Sequence, residues 1–334
     1  MTKVVLDAMG GDHAPRANLD GAKLAIERGI VSAEQLVLTG PRELLEPMLA
    51  PAGLVGVDVV DAPDVLTCAD TPVDAMRRKP RNSISLGIGH VAEHKASGFI
   101  SAGSTGVVVA AASVGLSRLE GVRRPGIAVT IQGEGGVPFV VMDVGANPLP
   151  KAVDLLQYGL MASAYYSGTL GNERPRVGLL NIGTEDTKGN PLTREAHQML
   201  RHAPINFIGS VEGVDVFSGR CEVVVCDGFT GNVLLKVSEG CAEYVLRTTA
   251  GFMKEVGLDP DKSRLVLHKL MQRVDYSEYG GAQLLGVDGV VTICHGRSGP
   301  EAICNALRFA VRAVGAKVNQ HIVSAVKAAA ASSQ

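Results

Sequence analysis

The sequence predicts an α/β protein with a mainly parallel sheet flanked by helices. Short runs of β-branched apolar residues alternate with helical patterns along the whole chain, which is typical of parallel sheets with helices on both faces. The run 222–226 is apolar almost throughout, as expected for a parallel strand that is covered on both sides. The 40 glycines mostly follow such runs, which indicates tight turns where the strands end.

The individual elements follow from periodicity and from breaker residues. Strands are predicted over 3–6, 36–39, 57–60, 98–101, 127–131, 139–143, 176–181, 207–208, 222–226 and 289–294. Helices are predicted over 18–28, after Pro41, over 83–95, after Gly106, over 151–167, 191–201 and 300–314, and from about 231. In the helix from 231, Val233, Val237 and Cys241 share one face. The alanine-rich tail from Ser324 is predicted to be a fraying helix end.

Length and composition predict one domain of two lobes. The chain has 334 residues, of which 46% are hydrophobic and 20% are charged, so a large core can be buried. No linker rich in proline or serine divides the chain. We therefore expect a single α/β domain over 1–334 with a break between its lobes near 145–150, and a helical hairpin over 251–279.

Composition also excludes several classes of function. A net charge of −2, no tryptophan and 4% aromatic residues argue against nucleic-acid binding. The six cysteines contain no C-x-x-C pair, so buried thiols are favoured over disulfides or a zinc site. The N-terminus lacks a signal segment, and the longest apolar stretch, 106–116, is too short to span a bilayer. We expect a cytoplasmic protein that needs no metal and no cofactor.

Five loops with glycine and small polar residues follow apolar strands. They cover 7–12, 101–106, 181–189, 227–232 and 295–299. Ligands of parallel α/β folds collect beyond the carboxyl ends of the strands, so these loops predict one cleft lined with backbone N–H groups and hydroxyls. Such a lining suits phosphate or the tetrahedral oxyanion of acyl transfer. At 227–232 free N–H groups and the positive end of a helix add to this, although an ordinary strand-to-helix turn explains that stretch better when it is taken alone.

Few positive charges lie near these loops. Lys188, in a glycine-bounded loop, can hold a phosphate as a point charge or can be a solvated loop lysine. Lys79 and Arg81 precede a helix start and can hold an anion or belong to a solvated basic run. His295 follows a strand end and can act as an acid or base, or can have a capping or structural role.

Familiar catalytic motifs do not explain the chain. The dinucleotide-like pattern at 87–92 lies inside a helical pattern with no strand before it, so helix packing explains it better. The sequence has no G-x-x-x-x-G-K-[ST] loop and no G-x-S-x-G elbow. No serine or cysteine has an evident base partner, so we expect no covalent acyl-enzyme. Direct attack of one bound substrate on another, with catalysis by positioning and charge, is the simpler scheme.

The hairpin over 251–279 stands apart because apolar and basic residues interleave at helical spacing, for example Phe252 and Leu267 with Lys262 and Arg273. An amphipathic, basic helix can lie on an anionic membrane surface. A dimer interface or a core helix also explains the pattern, and both can hold if the tip of the hairpin protrudes.

Motifs in one order connect the chain with a known family. They are 7–12 (Asp-Ala-Met-Gly-Gly-Asp), 101–106 (Ser-Ala-Gly-Ser-Thr-Gly), 143–147 (Asp-Val-Gly-Ala-Asn), 179–183 with Lys188-Gly189, 227–232 (Asp-Gly-Phe-Thr-Gly-Asn), and 279–282 with 284–286. On these motifs the chain resembles, nearly end to end, the bacterial phosphate acyltransferases of phospholipid synthesis, which convert fatty acyl-carrier protein and phosphate into acyl phosphate. Ser104 and Ser210 depart from the usual pattern, since asparagine is common at both positions, and serine lacks the amide donor.

The resemblance implies a fold similar to isopropylmalate dehydrogenase and phosphotransacetylase, and a homodimer whose cleft lies near the subunit interface. It implies acyl-carrier protein and inorganic phosphate as substrates. It also implies membrane association, which supports a membrane role for the hairpin, and transfer of the labile product to an integral-membrane glycerol-3-phosphate acyltransferase.

The loops and the resemblance together define the expected site. Lys188 balances the charge of phosphate and Asn232 donates to phosphate or to the thioester oxyanion, while a phosphate oxygen attacks the carbonyl and the phosphopantetheine thiolate leaves. The other expected substrate- and phosphate-binding residues are Asp7, Gly10, Gly11, Asp12, Ser104, Thr105, Gly106, Asn147, Asn181, Asp227, Gly231 and His295. Two rival functions stay open: an NAD-dependent dehydrogenase on the same fold, and a non-catalytic acyl-carrier-protein or membrane scaffold.

Overall fold

The computed structural model describes residues 3–67, 69–274 and 279–331, with the backbone alone at 272–274. The strands are β1 (Val4–Asp7), β2 (Leu36–Gly40), β3 (Asp58–Asp61), β4 (Gly98–Ser101), β5 (Gly126–Gln132), β6 (Pro138–Met142), β7 (Arg176–Leu180), β8 (Asn206–Val211), β9 (Val223–Val225), β10 (Ala282–Leu285) and β11 (Val290–Ile293). The helices are α1 (Arg16–Glu27), α2 (Arg42–Leu49), α3 (Pro72–Arg77), α4 (Ser83–Ala92), α5 (Thr105–Gly115), α6 (Ala152–Leu170), α7 (Pro191–Arg201), α8 (Gly228–Glu255), α9 (Pro260–Val274), α10 (Pro300–Gly315) and α11 (Val318–Ala331).

All of these strands form one sheet in the order β3-β2-β1-β4-β11-β10-β5-β6-β9-β7-β8. Strands β1 to β4 and β11 are parallel to one another, and so are β6, β9, β7 and β8. Strand β10 is antiparallel to both of its neighbours, and β5 and β6 form an antiparallel hairpin. The predicted α/β class with a mainly parallel sheet is confirmed.

The β5–β6 hairpin makes the two halves of the sheet run in opposite directions. Strand β5 runs in the same direction as β11, because each of them is antiparallel to β10, and β6 runs against β5. The carboxyl ends of β1, β4 and β11 therefore lie at one edge of the sheet, here named the first edge. Those of β6, β9, β7 and β8 lie at the opposite edge, here named the second edge.

Helices cover both faces of the sheet and hold its core. Helices α4 and α5 pack on one face, over buried residues of both halves such as Phe99 and Val224. On the other face, α1 and α10 cover the half with β1 to β4, and α6, α7 and α11 cover the other half. Burying a large aliphatic or aromatic side chain stabilises the fold by about 1.5–3 kcal/mol, so these layers fix the strand ends that carry the loops.

Four elements differ from the predictions, and one of them is α3, which lies where no helix is predicted. Helix α8 begins at Gly228 and runs to Glu255, so the hairpin expected over 251–279 has a much longer first arm, and its residues 275–278 lie outside the described ranges. Strand β10 and the first half of helix α11 are not predicted. The run 282–285 is too short for its periodicity to identify a strand, and α11 is weakly patterned because it is rich in alanine.

Helix α8 projects from the body of the molecule. The structure describes this helix throughout, and within it only Gly228 and Gly231 are buried. Its exposed apolar side chains include Val237, Tyr244 and Phe252. Nowhere in the described ranges is a helix long and apolar enough to cross a membrane.

Candidate functional site

Asp7 organises the loops at the first edge. Its carboxylate is fully buried and accepts hydrogen bonds from the Ser101 hydroxyl at 2.6 Å and from the Met9 N–H at 2.9 Å. Burial raises the pKa of Asp7, and the hydrogen bond from Ser101 and the other donors oppose that shift. The Ser101 oxygen in turn accepts from the Gly103 N–H at 2.9 Å. Asp7 therefore holds the loops after β1 and β4 together, and its carboxylate does not face an open cleft.

The other predicted residues of the first edge pack around this centre. A Cβ at Gly10 would lie 2.6 Å from both Asp7 Oδ2 and the Gly103 nitrogen, and the Asp12 N–H donates to the Gly296 carbonyl at 2.8 Å. His295 Nδ1 accepts from the Arg297 N–H at 3.1 Å. Gly11 lies close to Ala102, since a Cβ at Gly11 would be 3.1 Å from the Ala102 Cβ. The remaining members of this group are the exposed residues Ser104, Thr105 and Gly106 at the start of α5.

At the second edge, the buried carboxylate of Asp143 organises the loop after β6. Its Oδ1 accepts from the N–H groups of Ile127, Gly145 and Ala146 at 3.0–3.1 Å, and its Oδ2 accepts from the Asn147 N–H at 2.7 Å. Burial raises the pKa of Asp143 and these backbone hydrogen bonds oppose the shift. Asp143 is absent from the predicted site list, although its motif stands among those of the resemblance.

Helix α8 starts against this loop. The Gly228 N–H donates to the Asn147 carbonyl at 2.9 Å, and a Cβ at Gly228 would lie 2.7 Å from Asp143 Oδ2. A Cβ at Gly231 would collide with the Asp143 carbonyl oxygen. Glycine is needed at both positions because the first turn of the helix touches the backbone of the Asp143 loop.

The prediction of free N–H groups at 227–232 is largely wrong. Asp227 caps the helix, with Oδ1 accepting from the Thr230 N–H at 2.9 Å and Oδ2 from the Thr230 hydroxyl at 2.7 Å. The Gly231 N–H donates to the Asp227 carbonyl at 2.9 Å. A carboxylate of the chain itself thus occupies the positive end of α8, and a bound anion needs other donors.

Asn232 is such a donor. Its side chain is exposed and lies against Gly145, where a Cβ would be 3.8 Å from Asn232 Oδ1. Its amide makes no hydrogen bond within the described residues, so both amide hydrogens are available to a ligand.

The loop that carries Lys188 follows β7, two strands away from β6. The Asn181 amide donates to the Lys188 carbonyl at 3.2 Å and to the Ser210 hydroxyl at 3.3 Å, and Arg194 donates to the Gly189 carbonyl at 2.7 Å. The Lys188 side chain is exposed, and no carboxylate of the described chain lies within 4.0 Å of its ammonium. The loop is therefore anchored through its backbone while the Lys188 charge stays free.

The second-edge residues form one group. Strand β9 lies between β6 and β7, and Leu179 pairs with Val225, so Asn181 and Asp227 end neighbouring strands at the same level. Neighbouring strands are about 4.8 Å apart. The loops with Asn147, Asp227 and Lys188 consequently lie side by side.

The five loops do not line one cleft within a chain, so that prediction is wrong. Ser101 on β4 and the end of β6 are four strands apart, which is about 19 Å at 4.8 Å per strand. Their loops also leave opposite edges. The prediction assumed one strand direction, and the antiparallel pairings of β10 and of the β5–β6 hairpin reverse it.

Other candidate groups are explained by their contacts. The Lys79 ammonium lies 2.7 Å from Asp70 and lowers the pKa of that carboxyl to about 2, and Arg81 lies 3.4 Å from Asp61. These two cations are paired within the chain. In the part of the chain that the structure describes, no group of His, Cys, Asp and Glu side chains could hold a metal ion.

The buried cysteines are poor nucleophiles. Burial raises the pKa of Cys294 to about 12 and that of Cys221 to about 11, and it also raises the pKa of Cys226. The thiolate is the nucleophilic form, so these thiols are neutral near pH 7. Cys241 is exposed, and Cys68 lies outside the described residues.

An open groove of about 1220 Å³ lies away from Lys188, where α9 faces the turn between β5 and β6. Val214, Phe217, Val266 and Leu270 form its apolar part. The groove lies at the first edge, since Gln132 ends β5 there. This groove and the exposed Lys188–Asn232 group are therefore separate features of one chain.

Comparisons with known proteins agree with this architecture. A family model described as fatty acid synthesis protein matches residues 2–321. A curated phosphate acyltransferase from Heliobacterium modesticaldum is 43% identical over 336 residues, covering 97% of this chain and 99% of the relative. Among solved structures, a phosphotransacetylase from Streptococcus pyogenes has a TM-score of 0.62 at 16% identity, with 94% of each chain covered. A 4-hydroxythreonine-4-phosphate dehydrogenase from Klebsiella pneumoniae has a TM-score of 0.52 at 12% identity, with 97% of this chain and 100% of that chain covered. The two solved structures show the fold alone.

Proposed function

The chain belongs to the fatty acid synthesis protein family, which includes the phosphate acyltransferases, and is an acyltransferase; on this premise we propose that it moves a fatty acyl group from acyl-carrier protein to inorganic phosphate. The product is an acyl phosphate for phospholipid synthesis. The observation that carries the proposal is the second-edge group, in which the loop of Lys188 lies beside the capped start of α8 with Asn232, and neither side chain has a polar partner among the described residues.

These two side chains suit the charges of such a reaction. Inorganic phosphate brings negative charge, which the Lys188 ammonium balances as a mobile point charge. The tetrahedral intermediate brings a second negative charge on the former carbonyl oxygen, and the Asn232 amide can donate to it. One donor aimed at an oxyanion typically contributes on the order of 10²- to 10³-fold in rate.

The reaction needs no covalent intermediate on the protein. A lone pair of a phosphate oxygen forms the new C–O bond to the thioester carbonyl, the C–S bond of the tetrahedral intermediate breaks, and the electron pair leaves with the phosphopantetheine thiolate. The thiolate then takes up a proton from solvent. The neutral, buried thiols of Cys226 and Cys294 are not suited to accept the acyl group.

Acyl phosphate formation from a long-chain acyl-carrier protein tests this function. We expect product with acyl-carrier protein and inorganic phosphate, and none when phosphate is omitted. Acyl-CoA serves as a parallel donor, and the intact mass of acid-quenched protein should be unchanged. Carrier binding without phosphate-dependent turnover would contradict the proposal and favour a scaffold, whereas reduction of NAD would favour a dehydrogenase.

We further propose that the hairpin of α8 and α9 forms a homodimer and that the turn between its arms meets an anionic membrane, where the product passes to an integral-membrane glycerol-3-phosphate acyltransferase. Val237 on the long arm is 57% exposed, and Val256 at the turn is 77% exposed. A monomer rarely leaves so many apolar side chains of one element uncovered.

Separate substitutions test the two contacts of the hairpin. Val237→Glu should convert a dimer of 34.8 kDa chains into monomers in light scattering. Val256→Glu should leave the dimer intact and should weaken flotation with phosphatidylglycerol vesicles. A wild-type monomer, or vesicle binding that is equal for wild type and Val256→Glu, would contradict the corresponding proposal.

A further inference from the structure

We infer that Arg124 is a second cationic binding residue for phosphate, on the side of the α8 start that is opposite Lys188. This inference rests on the proposed function, since it concerns the same second-edge group. Arg124 lies in the connection that leads into β5, and its side chain is half exposed. Neither the motifs nor the charge pattern of the sequence single it out.

Arg124 lies beside the Asp143 loop, and this loop engages only one of its N–H groups. Its Nη1 lies 3.5 Å from Asn147 Oδ1, which is the outer limit of a hydrogen bond. The Asn147 amide nitrogen donates to the Pro125 carbonyl at 2.7 Å, and this bond turns the amide oxygen toward the guanidinium. The contact orients Arg124 and leaves most of its five N–H donors for a ligand.

The ion pairs around Arg124 engage its guanidinium only weakly. The carboxylate nearest to it is that of Asp154, which is fully buried. Asp154 accepts from Arg123 Nε at 3.1 Å and from the Lys151 N–H at 2.8 Å, whereas Arg124 Nε is 4.0 Å away. One carboxylate faces two guanidinium groups, and the closer one, Arg123, already compensates it.

The Asp143 carboxylate makes no ion pair with Arg124 among the described residues either. Its Oδ1 accepts from the N–H groups of Ile127 in β5 and of the loop residues Gly145 and Ala146, and its Oδ2 accepts from the Asn147 N–H. Of the two arginines beside Asp154, Arg124 is therefore the one whose guanidinium stays available to a ligand.

The position of Arg124 complements that of Lys188. Its partner Asn147 accepts from the Gly228 N–H, so Arg124 adjoins the start of α8 from the β6 side. The loop of Lys188 follows β7 on the other side of β9, and Asn232 lies on α8, which follows β9 between them. A guanidinium can bind two phosphate oxygens at once, which would fix the orientation of the attacking phosphate while the lysine balances its charge.

The test compares Arg124→Gln and Arg124→Lys with the wild type and with Lys23→Gln. Lys23 is a matched surface cation on α1 that pairs with Glu27. In acyl phosphate formation, Arg124→Gln should raise the half-saturating phosphate concentration at least ten-fold and leave that of acyl-carrier protein unchanged. Arg124→Lys should lie between this variant and the wild type, and Lys23→Gln should match the wild type.

A second readout separates the inference from the proposed function. Inorganic phosphate should raise the melting temperature of the wild type, and this shift should be lost in Arg124→Gln. If the wild type binds phosphate but forms no acyl phosphate, the proposed function fails and the binding role is still decided by the melting shift. Unchanged phosphate dependence of Arg124→Gln in both readouts would overturn the inference. A change confined to the half-saturating concentration of acyl-carrier protein would also overturn it. If Arg124→Gln does not fold, the same criteria apply to Arg124→Lys.

Discussion

Replacing Lys188 by alanine is expected to slow acyl phosphate formation by about 100-fold or more without unfolding the protein. The side chain is exposed and makes no ion pair within the described chain, so its loss leaves no charged group of the described residues without a partner. The loop is held by the Asn181 amide on the Lys188 carbonyl and by Arg194 on the Gly189 carbonyl, and neither contact uses the Lys188 side chain. The loss of rate should therefore come from the removal of the positive charge that balances phosphate.

Initial rates at several phosphate concentrations, together with thermal melting, measure this effect. Lys188→Arg should restore part of the rate because it keeps the charge but changes its geometry. Lys23→Ala is a matched control that removes a surface lysine from α1, and it should keep the wild-type rate. Normal turnover of Lys188→Ala would show that the lysine is not part of the site.

Gly231→Ala is expected to lower the free energy of unfolding by about 2 kcal/mol and to abolish most of the turnover. Its Cβ would collide with the Asp143 carbonyl oxygen and would also lie 2.8 Å from the Cys226 sulfur. Backbone atoms cannot move aside as a flexible side chain can, so the start of α8 must shift. That shift displaces Asn232, the next residue.

Gly240→Ala provides the matched control on the same helix. Apart from the backbone of α8 itself, no atom of the described residues lies within 4 Å of the position that its Cβ would take, so alanine should stabilise the helix by about 0.5–1 kcal/mol. Urea unfolding and initial rates of both variants make the comparison. Equal stability of Gly231→Ala and Gly240→Ala would contradict the close approach of α8 to the Asp143 loop.

Much of the fold can be predicted because the strands are short apolar runs bounded by glycine. Strand β4 and helix α7 have the predicted bounds, and most other elements agree within a few residues. Strand direction cannot be predicted in this way, because an apolar run carries no mark of its orientation. The run 282–285 lies between glycines and pairs antiparallel with the next strand, β11, and with the distant strand β5, and only those partners define it.

A site residue can be predicted from the sequence where its side-chain type and loop position alone indicate its role. Lys188 and Asn232 are found from loop position and motif, and the structure leaves both of them exposed and unpaired among the residues described. Asp143 and Arg124 are not found. The role of Asp143 depends on the N–H of Ile127, sixteen residues away, and that of Arg124 depends on which of two arginines approaches Asp154 more closely. Such differences of about 1 Å arise only from the folded chain.

Helix α8 has a mechanical consequence as well. Its 28 residues make a rod of about 42 Å at 1.5 Å per residue, and its buried residues, Gly228 and Gly231, lie within the first turn. A tilt of about 5° around that turn would carry the far end through roughly 4 Å and the Asn232 amide through about 0.5 Å, which is the precision that a working site requires. Any contact that fixes the far end of α8 therefore also fixes the position of the Asn232 amide near its start.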